Sequence, residues 1–95
     1  MAQNKNASTK KAAFTYTPAK DDVKDVHLVG DFNNWEVGHI RMKQLKGGSW
    51  KASIALSAGT YEYKFWVDGE WENDPECPSE VPNPFGTTNS KIDVL

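Results

Sequence analysis

The sequence predicts an all-β fold, an immunoglobulin-like β-sandwich of about seven short strands. Three observations predict it. Apolar and polar residues alternate with a period of two in several short runs, most clearly in Tyr61-Glu62-Tyr63-Lys64-Phe65-Trp66-Val67. Turn chemistry separates the runs at close intervals, as in Asn33-Asn34, Gly47-Gly48 and Asp68-Gly69. The 95 residues carry four Trp, four Phe and three Tyr, residue types that favour strands, and no stretch has convincing helical periodicity. A chain of this length fits one domain.

The elements follow in order. Residues 1–11 are polar and aperiodic and read as a flexible N-terminal tail, which leaves residues 12–95 as the domain. Ala12 to Thr17 reads as a strand with Phe14 and Tyr16 on one face, stopped by Pro18 and followed by a polar turn over residues 19–22. Val23 to Phe32 is the next strand, with Val26 and Leu28 inward and Asp25, His27 and Val29 outward. On that reading His27 is an inert surface histidine. Gly30-Asp31-Phe32-Asn33-Asn34-Trp35 closes this strand with a tight polar turn, and Trp35 is either a core plug or a surface platform. Ile40 to Leu45 reads as one alternating strand, and Lys46-Gly47-Gly48-Ser49 as a hairpin loop. Trp50 to Leu56 returns with Trp50, Ala52, Ile54 and Leu56 facing the core. Gly59 to Val67 places Tyr61, Tyr63, Phe65 and Val67 inward and Glu62, Lys64 and Trp66 outward. Asp68-Gly69 is a two-residue hairpin signal, and Glu70-Trp71-Glu72 starts the return. Asn73 to Gly86 holds Pro75, Pro78, Pro82 and Pro84 and reads as an ordered irregular loop without a ladder strand. Ser90 to Leu95 is the last strand, with Ile92 and Val94 on one face.

Composition narrows the function. A net charge of −2 argues against nucleic acid as a partner. No run approaches the ~18 apolar residues of a membrane span. Residues 1–13 lack an apolar leader core, and Cys77 is the single cysteine, so a cytoplasmic protein without an intrachain disulfide is expected. Cys77, His27 and His39 lack metal-ligand spacing, and neither a phosphate loop nor a nucleophile elbow is present. The carboxylates Asp68, Glu70, Glu72, Asp74, Glu76 and Glu80 offer the residue types of a glycosidase pair. They fall on a hairpin tip and a loop, where burial does little to raise a carboxyl pKa, and read as a solvated rim. The expectation is no enzyme and no cofactor.

Chemistry that is present centres on Trp35 and Trp71, each of which follows a turn that does not itself require an aromatic. A pyranose ring has an apolar C–H face and an equatorial belt of hydroxyls. An indole plane with amide, ammonium and hydroxyl groups at its edge suits it. Each stack contributes about 0.5–1.5 kcal/mol beyond area burial. Two stacks with exposed hydrogen bonds give weak binding, about −4 to −7 kcal/mol.

Four blocks stand in order: Val26 to Trp35, Tyr61 to Trp71, Asn73-Asp74-Pro75 and Phe85 to Ser90. Together they resemble a family 48 carbohydrate-binding module over residues 14–95. That family includes the glycogen-binding domain of the AMP-activated protein kinase β subunit and the N-terminal early-set domains of isoamylases and glycogen branching enzymes. The resemblance implies an early-set sandwich that binds α-1,4-glucans such as glycogen, starch and maltooligosaccharides. It implies a ligand set of Trp35 after the Phe-Asn-Asn turn, Lys64 in Tyr-Lys-Phe, Trp71 after Asp-Gly-x, and Thr87 and Asn89 in Gly-Thr-x-Asn. Phe85 stands where the kinase subunit has leucine. The larger, flatter ring implies a further stacking surface in place of a finger that threads the glucan. Trp66 stands at a phenylalanine position and either packs beneath the Pro-rich loop or supports Trp71, while Trp50 is assigned to the core. On this reading Trp35 and Trp71 are opposite walls of one site, with Lys64, Thr87 and Asn89 as its polar edge. A chain ending at Leu95 is expected to act by tethering, by sensing, or with a glycan-metabolising enzyme in trans. The competing expectation is a structural or protein-interaction early-set domain that docks such an enzyme without binding sugar.

Overall fold

The computed structural model describes residues 9–18, 22–77 and 79–95. Among the described residues two antiparallel sheets form from nine strands: β1 (Thr9–Tyr16), β2 (Val26–Gly30), β3 (Ile40–Arg41), β4 (Lys43–Gln44), β5 (Trp50–Ser57), β6 (Gly59–Val67), β7 (Glu70–Glu72), β8 (Glu80–Pro82) and β9 (Thr88–Val94). One sheet has the order β1-β5-β4. The other has the order β3-β2-β6-β9-β8, with β7 paired to β6. The inward residues of the alternating runs meet between them. Phe14, Tyr16, Trp50 and Leu56 from the first sheet pack with Val26, Leu28, Tyr63, Phe65 and Val67 from the second. The aromatic contacts are edge-on, with ring centroids 4.9 Å apart for Phe14–Tyr63 and 5.2 Å for Tyr16–Phe65. Trp50 is a core residue, as expected.

The hairpins follow from local backbone chemistry. Asp68 and Gly69 both adopt positive φ, at 48° and 89°, between paired Val67 and Glu70. That is the primed turn whose twist matches its strands. Gly30 serves a different purpose. A Cβ there would lie 2.6 Å from the Glu62 carbonyl oxygen and 2.8 Å from the Tyr63 Cβ, so β2 and β6 approach too closely for any side chain.

Four expectations are corrected. The run Ile40 to Leu45 is not one strand. β3 pairs with β2 and β4 with β5, so the chain changes sheets at buried Met42, whose N–H donates to Val26 O at 2.8 Å. The proline-rich segment is not free of ladder pairing. Glu80–Pro82 forms β8 at the sheet edge, where Pro82 requires no partner for the missing N–H. β1 starts at Thr9 instead of Ala12, because Thr9, Lys10 and Lys11 continue the register opposite Ser57, Leu56 and Ala55. The remaining tail, residues 1–8, and most of the turn expected over 19–22 fall outside the described residues. The outward face of β2 is not a free surface, and His27 is not a surface histidine: Val29 is fully buried and the His27 side chain is only 12% exposed. The His27 Nε2 lies 2.7 Å from Asp25 Oδ2, and Arg41 Nε donates to Asp25 Oδ1 at 2.8 Å. The hydrogen bond to His27, with that from Arg41, holds the Asp25 carboxyl below its usual range.

Gly30→Ala is expected to destabilise the domain by about 1–3 kcal/mol, read as a lower midpoint in urea denaturation, since the added methyl meets backbone. Two tyrosines give a second expectation. Tyr16 donates to Glu72 Oε1 at 2.6 Å and Tyr63 to Asp74 Oδ2 at 2.6 Å. Burial first, and then these carboxylates, raise both phenol pKa values well above normal. A raised folded-state pKa means the contribution is complete below the unfolded value of about 10 and is lost as pH rises beyond it. An alkaline titration is therefore expected to show these phenolates forming together with loss of the near-ultraviolet dichroism, in one cooperative step.

Candidate functional site

The turn after β2 is a short 3-10 segment, Asp31–Asn33, followed by Asn34 and Trp35 at positive φ of 56° and 59°. Two successive left-handed residues are strained, of order 1 kcal/mol or more each. Their surroundings hold them. Asn33 is buried, accepts from Gly30 N at 3.0 Å and donates to Leu28 O at 3.2 Å. Trp35 N donates to Gly30 O at 3.0 Å. Asp31 uses both carboxylate oxygens: Trp35 Nε1 donates to one at 2.9 Å and the Glu62 backbone N–H to the other at 2.8 Å. The indole is thus aimed by a carboxylate that is itself fixed to β6.

Trp71 projects from β7 and is 44% exposed. Its ring lies 6.3 Å from Trp35 at 63° and 4.8 Å from Trp66 at 73°. Trp66 therefore supports Trp71. Trp35 and Trp71 touch and form one angled corner; they are not opposite walls, because no sugar fits between rings in contact.

The polar edge comes from β6 and from the loop between β8 and β9. Lys64 is only 8% exposed, and its ammonium donates to Thr88 O at 3.0 Å and Thr87 Oγ1 at 3.4 Å. Among the described residues no carboxylate lies within ion-pair distance of it. Two of its three N–H groups are thereby engaged. Asn89, on β9, donates to Glu62 Oε1 at 3.0 Å and accepts from Asn83 Nδ2 at 2.9 Å. Phe85 stands 87% exposed on the same loop.

Trp35, Lys64, Trp71, Phe85, Thr87 and Asn89 all line one open groove of about 790 Å³, so the residues singled out from the sequence come together. Asp31, Glu62, Asn83 and Pro84 complete the lining. Sequence reading missed these four as site residues. Only the turn-forming Asp31 and the Asn83-Pro84 dipeptide carried a local signal, and that signal was for turns. The acidic run at 68–80 does not line the groove. Asp68 accepts from Lys24 N and Asp25 N, Glu72 and Asp74 accept from tyrosines, and Glu80 accepts from Thr88 Oγ1. Among the described residues no cluster suited to a metal ion is present, and no helix is long and apolar enough to cross a membrane.

A β-sandwich that presents an aromatic corner beside an ordered polar rim is the architecture of a carbohydrate-binding module. Comparison with known proteins agrees. Residues 13–95 match the family described as the glycogen recognition site of AMP-activated protein kinase. The chain belongs to that family. Over 71 residues it is 39% identical to 5'-AMP-activated protein kinase subunit beta-1 of Rattus norvegicus and 38% identical to the beta-1 subunit of Homo sapiens. The beta-2 subunit of Mus musculus is also 38% identical. Each match covers 75% of this chain and 25% of the relative, so the chain spans about a quarter of the length of these curated relatives. The fold is shared with a maltogenic amylase from S. marinus, at a TM-score of 0.77 and 19% identity, over 93% of this chain and 14% of that one.

Asp31→Asn is expected to lower stability by about 1–2 kcal/mol in urea denaturation and to loosen Trp35, read as lower fluorescence anisotropy. The amide nitrogen of the new side chain must face one of two N–H donors, leaving it unsatisfied.

Proposed function

We propose that the domain binds α-1,4-glucans, namely glycogen, starch and maltooligosaccharides, without performing chemistry on them. The observation that carries this reading is the groove itself, with the indoles of Trp35 and Trp71, the phenyl ring of Phe85 and the Lys64, Thr87 and Asn89 polar groups along one depression. The indole corner offers apolar planes to successive glucose faces. The ammonium and amides offer hydrogen bonds to the ring hydroxyls. Phe85 supplies a further stacking surface, with Pro84 before it fixing the backbone and Gly86 after it turning the chain at φ 86°. The description of the matched family, a glycogen recognition site, supports the ligand class.

A non-catalytic role is supported by how the carboxylates are engaged. Those of Asp68, Glu72, Asp74 and Glu80 each accept hydrogen bonds within the fold, and in the groove both Asp31 oxygens and Glu62 Oε1 do the same. On this reading the domain holds glucan near an enzyme that acts on it. A cytoplasmic setting is compatible with the free Cys77 thiol, which lies within hydrogen-bond distance of the carbonyls of Ser79 and Lys91.

Titrating maltoheptaose against tryptophan fluorescence is expected to give saturable binding in the millimolar to tens-of-micromolar range, about −4 to −7 kcal/mol. Trp71→Ala is expected to weaken it at least about tenfold. The Trp35→Ala, Trp71→Ala double variant is expected to abolish glycogen pull-down. Retention of binding by a folded double variant overturns the proposal, and a wild-type protein that ignores glucan but captures an enzyme favours a docking role.

A further inference from the structure

One side chain of the groove holds more of its rim than any residue singled out from the sequence. Asn83 sits between Pro82 and Pro84 at the start of the loop that carries Phe85 and Thr87. Its Oδ1 accepts from the backbone N–H of Phe85 at 3.0 Å and of Thr87 at 3.2 Å. Its Nδ2 donates to Thr87 Oγ1 at 2.8 Å and to Asn89 Oδ1 at 2.9 Å. Its backbone N–H donates to Thr87 O at 3.0 Å. A single residue thus grips Phe85, Thr87 and Asn89 at once.

The direction of this network is forced. Backbone N–H groups only donate, so the atom of Asn83 that faces Phe85 N and Thr87 N must be its oxygen. The amide nitrogen must then point at Asn89, which presents its oxygen in return. Asn89 Nδ2 is left facing Glu62 Oε1, an acceptor-only carboxylate, at 3.0 Å. Every member is satisfied in one orientation alone, with Asn83 as donor at one end and Glu62 as acceptor at the other. The hydroxyl and amide that meet a ligand are consequently ordered before it arrives, which spares the entropy of ordering them on binding.

We propose that Asn83 is the positioning residue of the glucan groove: it fixes Phe85, Thr87 and Asn89 in ligand-ready geometry, and Glu62 fixes the orientation of the Asn89 amide. This rests on the glucan-binding reading above. Asn83→Asp tests it. The oxygens that accept from Phe85 N and Thr87 N are kept, but a carboxylate now faces Asn89 Oδ1. If the Asn89 amide flips, its oxygen faces Glu62 instead, so both orientations contain a repulsion. Adding Glu62→Gln removes the conflict. The Asn89 amide then flips, donates to the new carboxylate at position 83 and accepts from the new amide nitrogen at position 62.

The experiment is maltoheptaose titration of wild type, N83D, E62Q and the N83D/E62Q double variant, with urea denaturation of each. N83D is expected to bind about tenfold more weakly, the scale of one or two lost hydrogen bonds. Its deficit relative to wild type at the same pH is expected to shrink as pH falls and the new carboxyl protonates, since Asp31, Glu62 and Lys64, the other charged groups of the groove, are common to both proteins. The double variant is expected to bind better than the two single effects multiplied together predict. Equal affinity of N83D and wild type, or simple multiplication in the double variant, overturns the inference. A general loss of stability follows neither the pH recovery nor the rescue. Failure of wild type itself to bind maltoheptaose is a different result and removes the glucan reading beneath it.

Discussion

The site depends on how closely β2 approaches β6. At Gly30 the two backbones come so near that no Cβ fits against the Glu62 carbonyl. That approach brings the turn after β2 over β6, where Asp31 spans the gap to the Glu62 N–H and turns its other oxygen to Trp35. The indole of Trp35 then reaches Trp71, whose own position follows from the primed Asp68-Gly69 hairpin at the far end of β6. Lys64 and Glu62, successive outward residues of β6, reach the loop before β9 through Thr87 and β9 itself through Thr88 and Asn89. The groove is therefore an arrangement of groups referred to one strand. Its precision comes from β6, buried on its inner face by Tyr63, Phe65 and Val67.

The two halves of the groove are ordered by different physics. The aromatic half is held by edge-on ring contacts, which tolerate small displacements because dispersion is shallow and non-directional. The polar half is held by hydrogen bonds whose donors and acceptors match in one sense only. A weak ligand gains most when such groups are fixed in advance. The strain stored in Asn34 and Trp35 follows the same logic, since a left-handed tryptophan persists only where neighbours over-determine it.

Much of the fold was legible. The inward faces of β5 and β6, the assignment of Trp50 to the core, and the Asp68-Gly69 turn all follow from period-two alternation and turn chemistry. The break at Met42 was not legible, because a strand that passes from one sheet to the other keeps the same alternation and keeps Met42 inward. β8 was hidden by prolines, which exclude a central strand but not an edge. Val29 and Lys64 read as outward, and they are. Their burial comes from groups brought over that face from distant parts of the chain, which alternation along one strand does not register. Within the site, the aromatic and polar residues carried by the family resemblance came together in the groove. Asp31 and Glu62 did not stand out, because the bonds that join them to each other and to Asn89 cross between strands and leave no periodic mark, and Asn83, whose bonds are local, read only as turn chemistry beside prolines. The closed pair of indoles was equally invisible, since spacing cannot distinguish rings that face each other across a gap from rings in contact.

The row of Trp66, Trp71 and Trp35 has an optical consequence. Rings inclined at 73° and 63° with centroids 4.8 and 6.3 Å apart are close enough for their electronic transition dipoles to couple. Coupling of this kind between inclined indoles gives a two-signed exciton band in circular dichroism that an isolated tryptophan does not produce. Trp50, buried in the core between the sheets, stands outside this array. The groove thus carries an intrinsic spectroscopic signature of its own geometry, and a change of a few degrees in the angle between two rings is written directly into its rotational strength.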